Sequence, residues 1–336
     1  MSTTNRPRRW LRRLGIAVLV LTVAIVLAWR SGNEPAVDTV AAVERELGID
    51  LESTRVSTNG IVLHVVQAGP KDGPPVVLLH GFPEFWYGWR RQIGPLARAG
   101  FRVIVPDQRG YGASDKPPDI ASYRLDLPAR DVADLVPALG YQSVFLAGHD
   151  WGGAVAWRVA LDHPERVRRL VIFNLPHPGA FADAMREGTA PRRGYWLFFQ
   201  LPWLPELGNR LAHWRGLIQG LRDSARPGTF TDDELAHYRY AWDRDGAMRT
   251  MLHWYRAAMR VPAPAPPRRE VELPVRLVVA PHDAFIDAEI VRRSVAYCRN
   301  ATLVEIPNVG HWLLHEEPER TSREMIEFFG ADRAGS

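Results

Sequence analysis

The sequence predicts an α/β architecture: a mostly parallel sheet with helices on both faces and one helical insertion. Three observations predict it. Short apolar runs alternate with helix-like runs over most of the chain, the pattern of buried parallel strands joined by crossover helices. One strand-to-helix junction, Gly148-His149-Asp150-Trp151-Gly152, has glycines on both sides of an aspartate, as a very sharp turn needs. From Leu175 to Pro267 the alternation stops: no buried strand reads there, and the content is aromatic, arginine and proline.

The elements follow in order. Ser31 to Glu46 reads as a linker or short lead-in helix, and the body starts near Leu51. Ser53–Thr58 and Ile61–Gln67 flank Asn59-Gly60, a strong hairpin signal. Val76–Leu79 and Arg102–Pro106 read as strands, with an amphipathic run near Trp89–Ala99 between them. Leu127–Leu139 reads as a helix with Pro128 in its first turn. Ser143–Ala147 is a buried strand, Ala154–Leu161 the helix after it, and Val167–Phe173 the next strand. Val275–Ala280 and Thr302–Ile306 are two more strands, separated by a helix from Asp287 to Cys298. Leu313–Phe329 closes the chain as a helix. Pro262-Ala263-Pro264-Ala265-Pro266-Pro267 is a stiff return linker from the insertion.

Composition bounds the function. A chain of 336 residues with 46% hydrophobic content can bury a sizeable core. The net charge is only +4, much of it in the first thirteen residues, and no interleaved basic and aromatic pattern suits nucleic acid. The single cysteine, Cys298, allows no intrachain disulfide and reads as a packing residue on a helix. No metal-ligand spacing, phosphate-binding glycine loop or internal repeat occurs, so neither cofactor nor metal is expected. His163, His177, His213, His237 and His253 are scattered and read as surface or structural histidines.

The N-terminus stands apart. Arg6, Arg8, Arg9, Arg12 and Arg13 precede Leu14 to Trp29, which carries no charge. The apolar stretch is slightly short of the ~20 residues of a full span, and Trp10 and Trp29 bracket it as interfacial aromatics do. A signal peptide shares the basic start and apolar centre, but its small-residue cleavage pattern is poor, since Ala28 is followed by Trp29-Arg30. The expectation is an uncleaved anchor at residues 14–29, with the tail 1–13 cytoplasmic and the catalytic body on the opposite side of the membrane. Secretion is the lesser alternative.

The chemistry gathers where strands end. In an open parallel sheet, reactive groups collect beyond the carboxyl ends of strands. Asp150 follows one strand, Asp283 follows Val278-Val279-Ala280, and His311 follows Leu303-Val304-Glu305-Ile306 and a short loop. The order nucleophile, acid, histidine is that of α/β-hydrolases, and the glycine-flanked turn is their nucleophile elbow, with aspartate in place of the usual serine. His80-Gly81-Phe82-Pro83 follows the strand Val76–Leu79, so Phe82 N–H and Trp151 N–H are the expected oxyanion-hole donors. Asp150 as a mere helix cap is the plain reading of a lone aspartate; its glycines, the preceding strand and the downstream acid and histidine argue against it. Asp287 competes with Asp283 for the acid role but lies farther from the strand end.

These residues resemble the epoxide hydrolase branch of the α/β-hydrolase superfamily. The matching pieces are His80-Gly81-Phe82-Pro83-Glu84, Asp107-Gln108-Arg109-Gly110-Tyr111-Gly112-Ala113-Ser114, Gly148-His149-Asp150-Trp151-Gly152-Gly153 and Gly310-His311-Trp312. The resemblance runs from about Leu51 to Phe329. It implies an α/β-hydrolase core at 51–174 and 268–330, a helical cap at 175–267, and a linker at 30–50. It also implies two cap tyrosines that hold and protonate the epoxide oxygen. Tyr195-Trp196-Leu197-Phe198-Phe199-Gln200 resembles the segment with the first, and Trp254-Tyr255-Arg256 that with the second, although His253 replaces an asparagine and Gly194 a commoner tryptophan. Asn174 stands where some relatives place the acid, and being neutral it cannot serve as one. The implied reaction converts an apolar epoxide and water to a vicinal diol through an ester on Asp150. A haloalkane dehalogenase shares the Asp nucleophile and following Trp, but many carry asparagine where this chain has Phe82. A third reading is a catalytically idle binder of an apolar ligand; the intact set Asp150, Asp283 and His311 argues against it.

Overall fold

The computed structural model describes Trp10, residues 12–16, 19–20, 36–190 and 194–332. Most of the expected anchor, 14–29, therefore lies outside the described residues. Among those described, no helix is long and apolar enough to cross a membrane.

The strands are β1 (Glu52–Thr58), β2 (Ile61–Ala68), β3 (Pro75–Leu79), β4 (Arg102–Pro106), β5 (Val144–His149), β6 (Val167–Phe173), β7 (Val271–Val279) and β8 (Cys298–Glu305). They form one eight-stranded sheet in the order β1-β2-β4-β3-β5-β6-β7-β8. β2 pairs antiparallel with β1 and β4, and every other neighbour is parallel. The hairpin between β1 and β2 turns at Asn59 (φ 42°) and Gly60 (φ 76°). Two positive φ values are what a tight hairpin of this hand demands. β3, β4 and β5 are buried over their whole length. Both faces of the sheet are therefore covered there, and the Val, Ile and Leu runs of the sequence are explained.

After β3 the chain crosses to β4 on one side, then returns to β5 on the other. The crevice beyond the carboxyl ends of β3 and β5 is the place where such sheets bind ligands. The crossover helices are α2 (Arg90–Arg98), α3 (Asp126–Ala138) and α4 (Trp151–Asp162), after a lead-in α1 (Thr39–Leu47). Between β6 and β7 run α5 (Pro178–Glu187), α6 (Gly194–Phe199), α7 (Leu204–Leu211), α8 (Arg215–Asp223), α9 (Asp232–Asp243) and α10 (Ala247–Arg260), with no strand among the described residues. The core is finished by α11 (Ala288–Arg293), α12 (Leu313–Glu316) and α13 (Pro318–Gly330). α13 packs on α2, and its Phe329 stacks on Phe145 of β5 at 4.9 Å.

Three local expectations change. The helix from Asp287 ends at Arg293, gives way to a 3₁₀ turn at Ser294–Tyr297, and Cys298 opens β8 instead of closing a helix. Cys298 pairs with Val271 across β7; the ladder recruits residues with little apolar periodicity of their own. The closing helix breaks at Glu317 (φ −134°, ψ 59°), because Pro318 disfavours a helical residue before it and then starts the next helix. The lead-in helix belongs to the body: Asp38 caps it, Thr39 and Val43 are buried, and Thr39 Oγ1 lies 3.0 Å from His237 Nδ1 of α9.

Candidate active site

The turn between β5 and α4 is set by sterics. A Cβ on Gly148 would sit 2.3 Å from the Gly152 carbonyl oxygen, and one on Gly152 would sit 2.1 Å from that of Leu79. No side chain fits either place. Gly81 is similarly required, since a Cβ there would meet Asp150 at 2.4 Å. Asp150 itself takes φ 51°, ψ −126°, a strained conformation for a residue with a Cβ, costing on the order of 1–3 kcal/mol. It does not cap α4 with its side chain. Its Oδ1 instead accepts from Phe82 N–H at 2.8 Å, and Trp151 N–H also favours the anion. Burial pushes its carboxyl above the usual range, opposed by His311 and these two backbone donors.

His311 meets Asp150 on the other side. Its Nε2 is 3.7 Å from Asp150 Oδ2, and its Nδ1 is 2.7 Å from Asp283 Oδ2. Asp283 is held in turn: its Oδ1 accepts from Phe285 N–H (2.7 Å) and Ile286 N–H (2.9 Å). Burial opposes a charged imidazole, but Asp283 and then Asp150 outweigh it and raise the His311 pKa above its ordinary 6.5. The rival acid is elsewhere: Asp287 caps α11 by accepting from Glu289 N–H at 2.9 Å. Asn174 (φ 49°) ties strand ends together, accepting from Ala280 N–H (2.7 Å) and donating to the Gly310 carbonyl (3.2 Å). It thus braces the loops that carry the acid and the histidine.

The two tyrosines come from different helices and meet. Tyr195 of α6 and Tyr255 of α10 have ring centroids 6.1 Å apart. Tyr255 is buried and packs edge-on to Phe82 (5.1 Å) and Trp151 (5.2 Å), beside the two backbone donors. Burial and the nearby Asp150 charge push its phenol well above its ordinary pKa, so it stays protonated and can donate. Tyr195 is half-buried, with Phe285 between it and the base: Phe285 is 6.0 Å from Tyr195 and 4.9 Å from His311. The segment Asp107–Ser114 does scaffolding instead. Asp107 accepts from Trp86 N–H and Ala113 N–H and pairs with His64.

A second buried cluster lies behind the site and was not foreseen from the sequence. Glu84 is buried, accepts from Tyr238 Oη (2.6 Å) and pairs with His315 Nε2 (2.8 Å). His149, the residue before Asp150, has Nε2 2.9 Å from the His311 carbonyl oxygen, so that ring N–H donates to it. Burial and the neighbouring His311 lower the His149 pKa to about 3 and keep it neutral. Glu84 and His149 fall inside stretches already singled out, but His315, four residues past His311, carried no signal of its own. Of the scattered histidines, His177, His237 and His253 are buried and structural.

The alpha/beta hydrolase fold family matches residues 74–318. The chain is 40% identical over 279 residues to the AB hydrolase superfamily protein YfhM of Bacillus subtilis strain 168, covering 81% of this chain and 96% of that one. It is 32% identical over 320 residues to Epoxide hydrolase 2 of Caenorhabditis elegans, covering 92% and 89%. Among solved structures it is similar to Bacillus megaterium epoxide hydrolase in complex with an inhibitor, with TM-score 0.72, 27% identity, and coverage of 82% of this chain and 100% of that one. With the elbow, the fold and these relatives together, this chain belongs to the epoxide hydrolases of the α/β-hydrolase superfamily.

Proposed function

We propose that this protein hydrolyses apolar epoxides to vicinal diols through a covalent ester on Asp150. The observation that carries the reading is the setting of that carboxylate: one oxygen on Phe82 N–H at 2.8 Å, the other 3.7 Å from His311 Nε2. Asp150 attacks an epoxide carbon, a C–O bond forms, and the ring C–O bond breaks. The leaving alkoxide takes a proton from the Tyr195 and Tyr255 pair. His311 then removes a proton from water, and the hydroxide adds to the ester carbonyl. Phe82 N–H and Trp151 N–H hold the resulting oxyanion. Collapse passes the proton of the added hydroxide to the departing alkoxide, which releases the diol and leaves one water oxygen on the Asp150 carboxylate; His311 returns its proton to the phenol pair through solvent. Asp283 orients His311 and stabilises its cation. A serine in this elbow would leave an ether that water cannot cleave, whereas an aspartate leaves an ester.

Two further parts belong to this reading. Residues 175–267 act as a cap over the elbow, supported by the packing of Tyr255 and Trp196 around Trp151. Residues 14–29 act as a membrane anchor with the tail 1–13 cytoplasmic, supported by the basic run and the uncharged apolar stretch after it. Halide release in place of diol formation would turn the reading toward dehalogenation; the paired tyrosines favour the epoxide.

A single turnover in ¹⁸O-water tests the ester. The label should enter the Asp150 carboxylate and be absent from the first diol. Label in that first diol would mean direct attack by water, and the ester would be wrong.

A further inference from the structure

The helix that carries Tyr255 also lines a separate cavity. Part of α10, with residues of α7 and α9, lines an open pocket of about 610 Å³ whose walls include neither Asp150, His311, Tyr195 nor Tyr255. Cavities that take small ligands span roughly 300–1,000 Å³ and are mostly apolar with a few polar groups. This one has apolar walls from Trp203, Leu207, Trp242 and Met248. Its charged lining holds five arginines and two carboxylates, Glu206 and Asp245; of the arginines, Arg210 lies 3.9 Å from Asp243 and Arg260 donates to Gln200 Oε1 at 3.0 Å.

Some of that charge is already engaged. Arg256 donates to Glu206 Oε1 at 2.6 Å and to the carbonyls of Phe199 and Leu201. Arg244 and Arg249 are exposed, and among the described residues neither lies within ion-pair distance of a carboxylate. Trp203, 67% exposed, adds a large apolar side chain beside them. A hydrocarbon wall with surplus guanidinium suits one ligand chemistry, an amphiphile with an anionic head, because guanidinium pairs with carboxylate through two parallel hydrogen bonds. We propose that this cavity is a second binding site, for a medium- or long-chain carboxylate, distinct from the site at Asp150.

Calorimetric titration of the full chain in phosphatidylcholine nanodiscs with decanoate, against empty nanodiscs, tests the proposal. Saturable one-to-one binding is expected. Methyl decanoate, which loses the charge, and decyltrimethylammonium, which inverts it, should bind at least ten-fold more weakly. The double change Arg244→Glu, Arg249→Glu should weaken decanoate at least ten-fold and leave epoxide turnover without decanoate unchanged. Leu207→Trp should fill the cavity and abolish binding, again with turnover kept. No saturable binding, equal affinity for the three amphiphiles, or undiminished affinity in both variants would overturn the proposal. So would purely competitive inhibition of epoxide turnover, which would put decanoate in the substrate crevice.

Discussion

In the proposed mechanism Asp150 needs no base to activate it, so each partner residue has a distinct step to fail at. The proposed mechanism assigns the tyrosines to ring opening. A phenol of ordinary pKa ~10 is protonated at neutral pH, and Tyr255 is held more firmly so by burial and by Asp150. Tyr195→Phe and Tyr255→Phe should each slow alkylation, and the pair together by about 10²–10⁴-fold, the usual worth of a positioned acid. Pre-steady-state alkylation of the double variant reads this directly; a near wild-type rate would reduce the tyrosines to packing. The proposed mechanism assigns His311 to the second step, where it must be neutral to take a proton from water. Its pKa is raised above 6.5, chiefly through Asp283 once burial is overcome. Ester hydrolysis should therefore fall as pH drops through the His311 pKa, which lies lower in the ester than in the free enzyme because esterification removes the Asp150 charge. Asp283→Asn removes the charge that raises it, so the midpoint should move to lower pH while the plateau rate also falls. A midpoint that does not move would take Asp283 out of this role. Asp150, Asp283 and His311 were legible because each follows a strand end in a recognisable order. Phe285 was not: its place between Tyr195 and His311 depends on a loop closing onto a helix far away in sequence.

At the scale of the element, the elbow is a problem of space, and the glycines give opposite predictions depending on what surrounds them. Gly152→Ala drives a Cβ into the Leu79 carbonyl oxygen at 2.1 Å. The backbone of β3 cannot yield as a side chain would, so the change should cost at least the ~1–3 kcal/mol typical of overpacking and reduce activity with it. Gly220 sits exposed inside α8, and a methyl group added there would meet nothing within 4 Å. Alanine at that position should stabilise by up to ~1 kcal/mol, the helix-propensity difference. Thermal unfolding of the two variants checks both signs; equal shifts would mean that the elbow is not tight. Local patterns made most elements readable. Val167–Phe173 was readable as a strand from its apolar run Leu170–Phe173, which ends at Asn174. Where a partner decides, local signal fails: Cys298 to Ala301 become strand only because β7 offers a ladder. The buried pairing of Glu84 with His315 is equally invisible, since it depends on a loop after β3 meeting the short helix α12.

At the scale of the whole molecule, the question is how the N-terminal segment constrains the body. The body begins at Asp38, which caps α1, and Thr39 is fastened to His237 of α9 at 3.0 Å. The chain thus joins the body on a helix of the β6–β7 insertion, not at the far end of the sheet. Residues 30–38 separate this point from Trp29, and at ~3.3–3.6 Å each they reach at most about 30 Å. If residues 14–29 are held in a bilayer, the insertion must lie close to its surface, where an apolar epoxide concentrates. Full-length protein should then sediment with membranes and stay there through a carbonate wash, which strips peripheral proteins but not inserted ones. Protein whose sequence begins near Asn33 should remain in the supernatant and keep its turnover of a water-soluble epoxide, since Thr39 and the rest of the body are retained. Turnover of a membrane-dissolved epoxide should fall in the shortened protein, because tethering no longer holds the insertion at the surface. Recovery of the protein in the soluble fraction with its N-terminus cut near Ala28 would replace the anchor with a signal peptide and remove the constraint on where the insertion lies.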